Sequence, residues 1–126
     1  MIEDYLGIQI DYSKEEALSD FSLDTLKDRY FWKEEKYAQQ ALARASVYCA
    51  TYQGVVDYDL GQRLYNYSSS NWFSFSTPIL SNAGTSRGLP ISCFLNYVPD
   101  SRTGLSAHYD ENIWLASGGG GLGGYW

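Results

Sequence analysis

One segment bounded by two prolines decides most of what this chain can fold into. It runs Thr77-Pro78-Ile79-Leu80-Ser81-Asn82-Ala83-Gly84-Thr85-Ser86-Arg87-Gly88-Leu89-Pro90 and opens onto Ile91-Ser92-Cys93-Phe94-Leu95. Asn82, Gly84, Gly88 and the prolines predict a long irregular loop from Ser76 to Pro90. Long ordered loops in compact domains are often functional. Beyond it, Ile91 to Val98 predicts a short strand and Pro99-Asp100-Ser101 a turn. Gly104 to Ser117 then predicts a helix, with Leu105, Tyr109, Ile113 and Ala116 at helical spacing. A glycine-rich run, Gly118 to Gly124, leads to Tyr125-Trp126. Strand, helix and glycine-rich segment in this order begin a β-α-β crossover. A parallel sheet needs both faces covered, and two strands with open edges are marginal alone. The pattern therefore predicts a fold that is incomplete without a partner.

Everything before the loop reads as helical scaffold. Residues 1–12 are mixed and predict an irregular or docking segment. Ser13 and Glu16 have capping-box spacing, which predicts a short helix through Leu18 with Ser13 as N-cap. Ser22 offers a second helix start, leading to about Tyr30. The clearest helix spans 34–51: Ala38, Ala41, Leu42, Ala45 and Cys49 share one apolar face. Cys49 is thereby read as core, with Gln39, Gln40 and Arg44 facing away, and Gly54 closes the unit. Asp57 or Asp59 can cap a helix near 58–72 with Leu60, Leu64, Tyr67 and Asn71 on one stripe. Tyr58, Tyr65, Trp72, Phe73 and Phe75 make this region dense in aromatics. Arg63 is the single basic residue among them, so packing between helices is favoured over base stacking. The domain expectation is thus a helical region over 1–75 and the start of an α/β unit over 76–126.

The 126 residues carry a net charge of −6, which argues against a nonspecific nucleic-acid grip. Two cysteines without a CxxC, and a single histidine, His108, leave no zinc constellation. No apolar run is long enough to span a membrane, and the acidic Met1-Ile2-Glu3-Asp4 start lacks a signal-peptide pattern. A cytoplasmic location is the expectation, and there a structural disulfide is not expected.

Chemistry concentrates at few positions. Cys93, at a loop-to-strand junction, is either a thiol facing a cleft or a small buried core residue. Spacing alone favours burial. A nucleophilic or redox role needs a base, a depressed pKa or a second cysteine, and this sequence offers no obvious candidate. Gly118, Gly120 and Gly123 formally satisfy G-x-G-x-x-G. They follow a helix rather than a strand, so the dinucleotide-binding context is missing. The run is either backbone that lets a ligand approach closely or a flexible tail. His108 has no evident partner, and Asp110 and Glu111 lie off the helix stripe.

Thr77-Pro78 through Ser92-Cys93 resembles the first substrate-binding segment of the large (α) subunit of ribonucleotide reductase. Pro99-Asp100-Ser101, Glu111-Asn112-Ile113-Trp114-Leu115-Ala116-Ser117 and Gly118-Gly119-Gly120-Gly121-Leu122-Gly123 continue the likeness in order. The resemblance is specific from about Asn71 onward. It implies an α/β fold class: an N-terminal helical region followed by the first strand-helix-strand of an incomplete ten-stranded α/β barrel. Cys93 matches the reducing cysteine on the first barrel strand. That residue donates a hydrogen to the substrate as its 2′-hydroxyl leaves, then forms a disulfide with a second barrel cysteine. Thr77 and Ser92 match residues that bind the phosphate and ribose of the substrate, and Gly120 and Gly121 the glycine backbone beside it. Asp100, with Ser101, matches the turn that binds the ribose of an allosteric effector.

The family's thiyl-radical cysteine, its partner reducing cysteine and its C-terminal redox tail have no counterpart in this sequence. Nor is there room for an ATP-cone domain. The implied function is therefore the N-terminal part of a ribonucleoside-diphosphate reductase catalytic subunit, inactive alone. It would be completed by a separately encoded α fragment, a gene arrangement of the kind phage genomes carry. No cofactor is expected on this chain. The radical source would lie on a partner, a di-metal small subunit in preference to a cobalamin. Ribonucleotide substrate and a deoxynucleotide or ATP effector complete the expected partners. Two alternatives stand beside this reading. One is a non-catalytic binding or regulatory protein that docks on a reductase large subunit. The other is a small nucleotide-binding module using the glycine-rich end.

Overall fold

The computed structural model describes residues 1–126, which form two compact units, 1–87 and 88–126. The Ser76–Pro90 segment is thus divided between the units.

In the first unit, β1 (Ile2–Tyr5) and β2 (Ile8–Asp11) form an antiparallel hairpin with Tyr5 opposite Ile8. This replaces the irregular segment expected over 1–12. The two-residue turn needs positive φ at both positions, and Leu6 (54°) and Gly7 (84°) supply it. A Cβ on Gly7 would also lie 2.4 Å from the Tyr58 ring. Period-2 alternation then sends both Ile8 and Ile10 inward.

Tyr12–Ala17 is a 3-10 helix. Its N-cap is Asp11, whose carboxylate accepts from the Ser13 N–H (3.0 Å) and hydroxyl (2.8 Å), so Ser13 is not the cap. The next helix, α1 (Asp20–Arg29), is capped by Ser19 rather than Ser22; the Ser19 hydroxyl accepts from the Ser22 N–H. The central helix α2 (Ala38–Cys49) is followed by a hairpin of β3 (Thr51–Tyr52) and β4 (Val55–Val56). Gly54 therefore serves the turn between β3 and β4, not the helix end, where Ala50 is the C-cap. Of the two caps the sequence allows, Asp57 and not Asp59 caps α3 (Tyr58–Ser69), by accepting from the Leu60 N–H.

The core joins Ile8, Ile10, Ala43 and Tyr65, with Tyr5, Tyr12, Leu42 and Val47 packed against it. The buried stripe of α3 is Gly61, Tyr65 and Ser68, one position away from the Leu60–Leu64 stripe expected. Helix α2 departs most from the single-face reading. Ala38, Gln39, Ala41, Ala43, Arg44, Ala45 and Ser46 are all buried, because β2, α3 and α4 (Thr77–Asn82) pack around it. Alanines let those neighbours approach on several sides. Gln39 and Arg44 consequently point into protein, while Cys49, at the helix end, is exposed. Gln39 accepts from the Tyr65 hydroxyl (2.8 Å), which itself accepts from the Asp11 N–H (2.8 Å).

Helix α4 corrects the expectation of a wholly irregular loop. Pro78 sits in its first turn, where a missing N–H costs nothing, and it ends at Asn82 before Gly84 at φ 72°.

The second unit is one crossover: β5 (Cys93–Tyr97), α5 (Arg102–Ser117) and β6 (Gly121–Tyr125). The strands pair in parallel, Cys93 opposite Gly121 through Tyr97 opposite Tyr125. The glycine-rich end is therefore a strand, not a tail. Phe94 and Asn96 are half-buried, while Cys93, Leu95 and Tyr97 alternate onto the exposed face. The helix face turned inward carries Leu105, His108, Asn112 and Leu115; Tyr109 and Ile113, expected inside, are exposed. No helix is long and apolar enough to cross a membrane.

Candidate functional site

Four of the sequence-predicted residues of the second unit, Ser92, Cys93, Gly120 and Gly121, gather at the start of β5. Cys93 is its first residue and is exposed. The Ser92 hydroxyl lies 3.6 Å from the Cys93 sulfur. The Gly121 N–H donates to the Ser92 carbonyl at 2.6 Å, which locks the two chain segments side by side. Gly120 precedes this contact. A Cβ there would fall 2.3 Å from the Phe94 ring, so only glycine allows the helix exit to pass over Phe94. The structure thus brings Ser92, Cys93, Gly120 and Gly121 together. Cys93 occupies the amino end of the strand, so the rule that ligands sit at strand carboxyl ends in open sheets does not account for it.

Asp100 and Ser101 lie beyond the other end of β5. Ser101 is the N-cap of α5, its hydroxyl accepting from the Gly104 N–H at 3.0 Å. Asp100 is exposed and lines a surface hollow of about 330 Å³ with Tyr97, Leu105 and Trp126. Nearby, Asn96 donates to Glu111 (3.0 Å) and Asn112 (3.0 Å), and Asn112 meets His108 Nε2 at 2.9 Å. His108 therefore has a partner, and Glu111 ties helix to strand.

Thr77 belongs to the first unit, in the first turn of α4, with its hydroxyl 3.3 Å from that of Tyr30. Cys49 is far from a reactive thiol in character. Partial burial of its sulfur pushes its pKa up, which disfavours the thiolate. No group of three or more His, Cys, Asp or Glu side chains converges on one point.

A family model described as the ribonucleotide reductase all-alpha domain matches residues 16–88, more than half of the chain. The chain belongs to the ribonucleotide reductase large-subunit family. The match ends at residue 88, one residue past the end of the first compact unit. The large subunit of ribonucleoside-diphosphate reductase from Invertebrate iridescent virus 6 is 38% identical over 116 residues, covering 92% of this chain and 12% of its own length. The Vaccinia virus large subunit is 30% identical over 128 residues, 96% of this chain and 16% of its own. Among solved structures, the class Id ribonucleotide reductase α subunit of Actinobacillus ureae superposes with a TM-score of 0.74 at 28% identity. That match covers 92% of this chain and 21% of that one. The chain thus spans under a quarter of each of these relatives.

In the ribonucleotide reductase family the first unit is the helical N-terminal region, here with strands added by its two hairpins. One polar constellation in it escapes pattern reading. Glu35 and Arg44 form a buried ion pair, with side chains 3% and 5% exposed. The signal that finds it is chemical: an arginine inside Ala41-Leu42-Ala43-Arg44-Ala45, on a helix buried all round, must be paired.

Proposed function

We propose that this chain acts as the N-terminal part of a ribonucleotide reductase catalytic subunit, active once another polypeptide supplies the rest of the barrel. The observation that carries this reading is the Ser92–Cys93 corner. A thiol stands exposed on the uncovered face of a parallel strand pair, beside glycine backbone that keeps side chains out of the way.

In this reading Ser92 of the second unit contacts a ribonucleoside diphosphate, and Gly120 and Gly121 let it approach the backbone; Thr77, taken by itself in the first unit, is a substrate-binding hydroxyl. Cys93 delivers hydrogen to C2′ as the 2′-hydroxyl departs as water. A second cysteine, from the completing polypeptide, pairs with Cys93 in a disulfide, so two thiols supply the two electrons of the reduction. A radical source on a partner, a di-metal small subunit, would start the chemistry. Asp100, with Ser101 next to it in the turn, contacts an effector nucleotide, and Asp100 lines its hollow with Tyr97 and Trp126.

The uncovered sheet face supports completion by more protein. Leu95, Tyr97 and Tyr125 stand exposed there, whereas parallel sheets are covered on both faces. The test is reconstitution of the chain with the remainder of the large subunit, a small subunit, cytidine diphosphate and a dithiol. Cys93→Ser should abolish deoxynucleotide formation while leaving assembly intact. Unimpaired turnover by that variant would remove Cys93 from the chemistry and leave a docking role for the chain.

A further inference from the structure

Arg44 carries far more than a salt bridge. Its Nε and one terminal nitrogen grip the Glu35 carboxylate at 2.6 and 3.2 Å. The other terminal nitrogen donates to the Ala83 carbonyl (2.7 Å), and the one that meets Glu35 shares its two hydrogens with the Leu80 (3.0 Å) and Tyr30 (3.1 Å) carbonyls as well. Leu80 and Ala83 belong to the end of α4 and its C-cap, and Tyr30 is the C-cap of α1. Helix C-termini leave carbonyls without intrahelical partners and concentrate partial negative charge. One guanidinium therefore closes two helix ends at once, and Glu35 neutralises and orients it.

Helix α4 spans six residues, too few to persist by its own hydrogen bonds. Its carboxyl end hangs on Arg44, and Gly84 packs against the Arg44 stem, where a Cβ would sit 3.0 Å from Cγ. Past the helix, Arg87 donates to the Arg29 (2.7 Å) and Phe31 carbonyls and lies over the Trp32 ring. Both flanks of the segment that follows Thr77 are thus fastened to the same 29–32 stretch. Tyr30 closes the circuit: its carbonyl is held by Arg44, and its hydroxyl meets the Thr77 hydroxyl at 3.3 Å.

We infer that Glu35, Arg44 and Tyr30 are positioning residues that hold α4 formed and set the orientation of the Thr77 hydroxyl for its ligand. The ligand side rests on the substrate role proposed for Thr77; the mechanical side does not. Arg44 acts on Thr77 by two routes, through the backbone of α4 and through Tyr30. Tyr30 adds a second hydroxyl beside whatever Thr77 binds, suited to the oxygens of a nucleotide phosphate.

Two measurements test this. Amide exchange on the full chain compares wild type with Glu35→Leu/Arg44→Met, in which apolar side chains replace the pair without leaving a lone buried charge. Amides of Leu80, Ser81 and Ala83 should exchange at least tenfold faster while the slow amides of α2 and α3 stay slow. Unchanged α4 protection would overturn the clamp, as would a uniform speeding of the whole unit. In the reconstituted enzyme, Tyr30→Phe should raise the KM for cytidine diphosphate severalfold with kcat held, and Thr77→Val should do the same. A raised KM in Thr77→Val with a wild-type KM in Tyr30→Phe would overturn the role of Tyr30. A wild-type KM in Thr77→Val, with α4 protection lost in the double variant, would keep the clamp and sink the substrate role of Thr77.

Discussion

The first unit buries two isoleucines, a tyrosine and a set of alanines, whereas the second buries Val98 alone among its hydrophobic residues. The second unit instead exposes Leu95 (88%), Trp114 (73%), Ile113 and Trp126. The contrast is between a core that has closed and a two-stranded sheet with one face exposed. In the first unit, Tyr65, Gln39 and Arg44 find their partners within the unit, as buried polar groups must. In the second, one helix covers one face of two strands, and the other face offers apolar side chains with nothing over them.

That difference predicts unequal responses to mutation. The largest effect belongs to Arg44→Met, which strands the buried Glu35 charge and should cost about 3–5 kcal/mol in urea unfolding. A cost under ~1 kcal/mol would show that the first unit does not depend on its polar centre. Next, Tyr65→Phe removes the hydroxyl bridging the Asp11 N–H and Gln39, leaving buried groups unpaired for about 1–3 kcal/mol. Gly120→Ala should cost about as much, ~1–3 kcal/mol, in the second unit, because its Cβ collides with Phe94. Loss of the β5–β6 exchange protection, with the first unit unaffected, is the expected signature. Leu95→Ala, by contrast, should change the stability of the chain alone by no more than about 0.5 kcal/mol, as for any exposed site. A larger loss would mean that the open face is already covered.

The smallest effect is in pH. Burial, with Glu3 close by, pushes the Tyr12 phenol up to about 12. A raised pKa favours the protonated folded form, so this stabilisation is whole below the ordinary tyrosine value of 10.0 and fades as pH climbs through about 12. Tyr12→Phe should flatten that alkaline limb of the circular-dichroism profile. Asp11 works in the opposite sense. Hydrogen bonds from Ser13 depress its pKa, so its contribution is present above the ordinary carboxylate value of 3.8 and is lost as pH falls below it.

Local chemistry made some of this legible in sequence. An aspartate cap at 57 or 59, α3, the β5 strand, α5 and the order of a parallel crossover all follow from caps, spacing and turn residues. The hairpin over 1–12 did not, because its alternation rests on Ile8 and Ile10 alone and its turn signal is a single Leu6-Gly7. Helix α2 misled for a different reason. A stripe of alanines reads as one apolar face, yet small side chains permit burial on several faces, and that turns Gln39 and Arg44 inward. Tyr109 and Ile113 have helical spacing that normally marks a buried stripe, but this chain provides nothing to bury them. At the site, Cys93 and the glycines were recognisable as individual residues. Their adjacency depends on the parallel register of β5 and β6, which spacing along the chain does not determine.

The central proposal is that more of the large subunit covers the exposed sheet face of the second unit. Amide exchange over β5 and β6 tests it most directly, measured on the chain alone and after addition of the remainder of the large subunit. The account predicts fast exchange at the strand edges alone, slowed at least tenfold in the complex, with the first unit slow in both. Strand protection that is already high in the chain alone, and unchanged on addition, would contradict it.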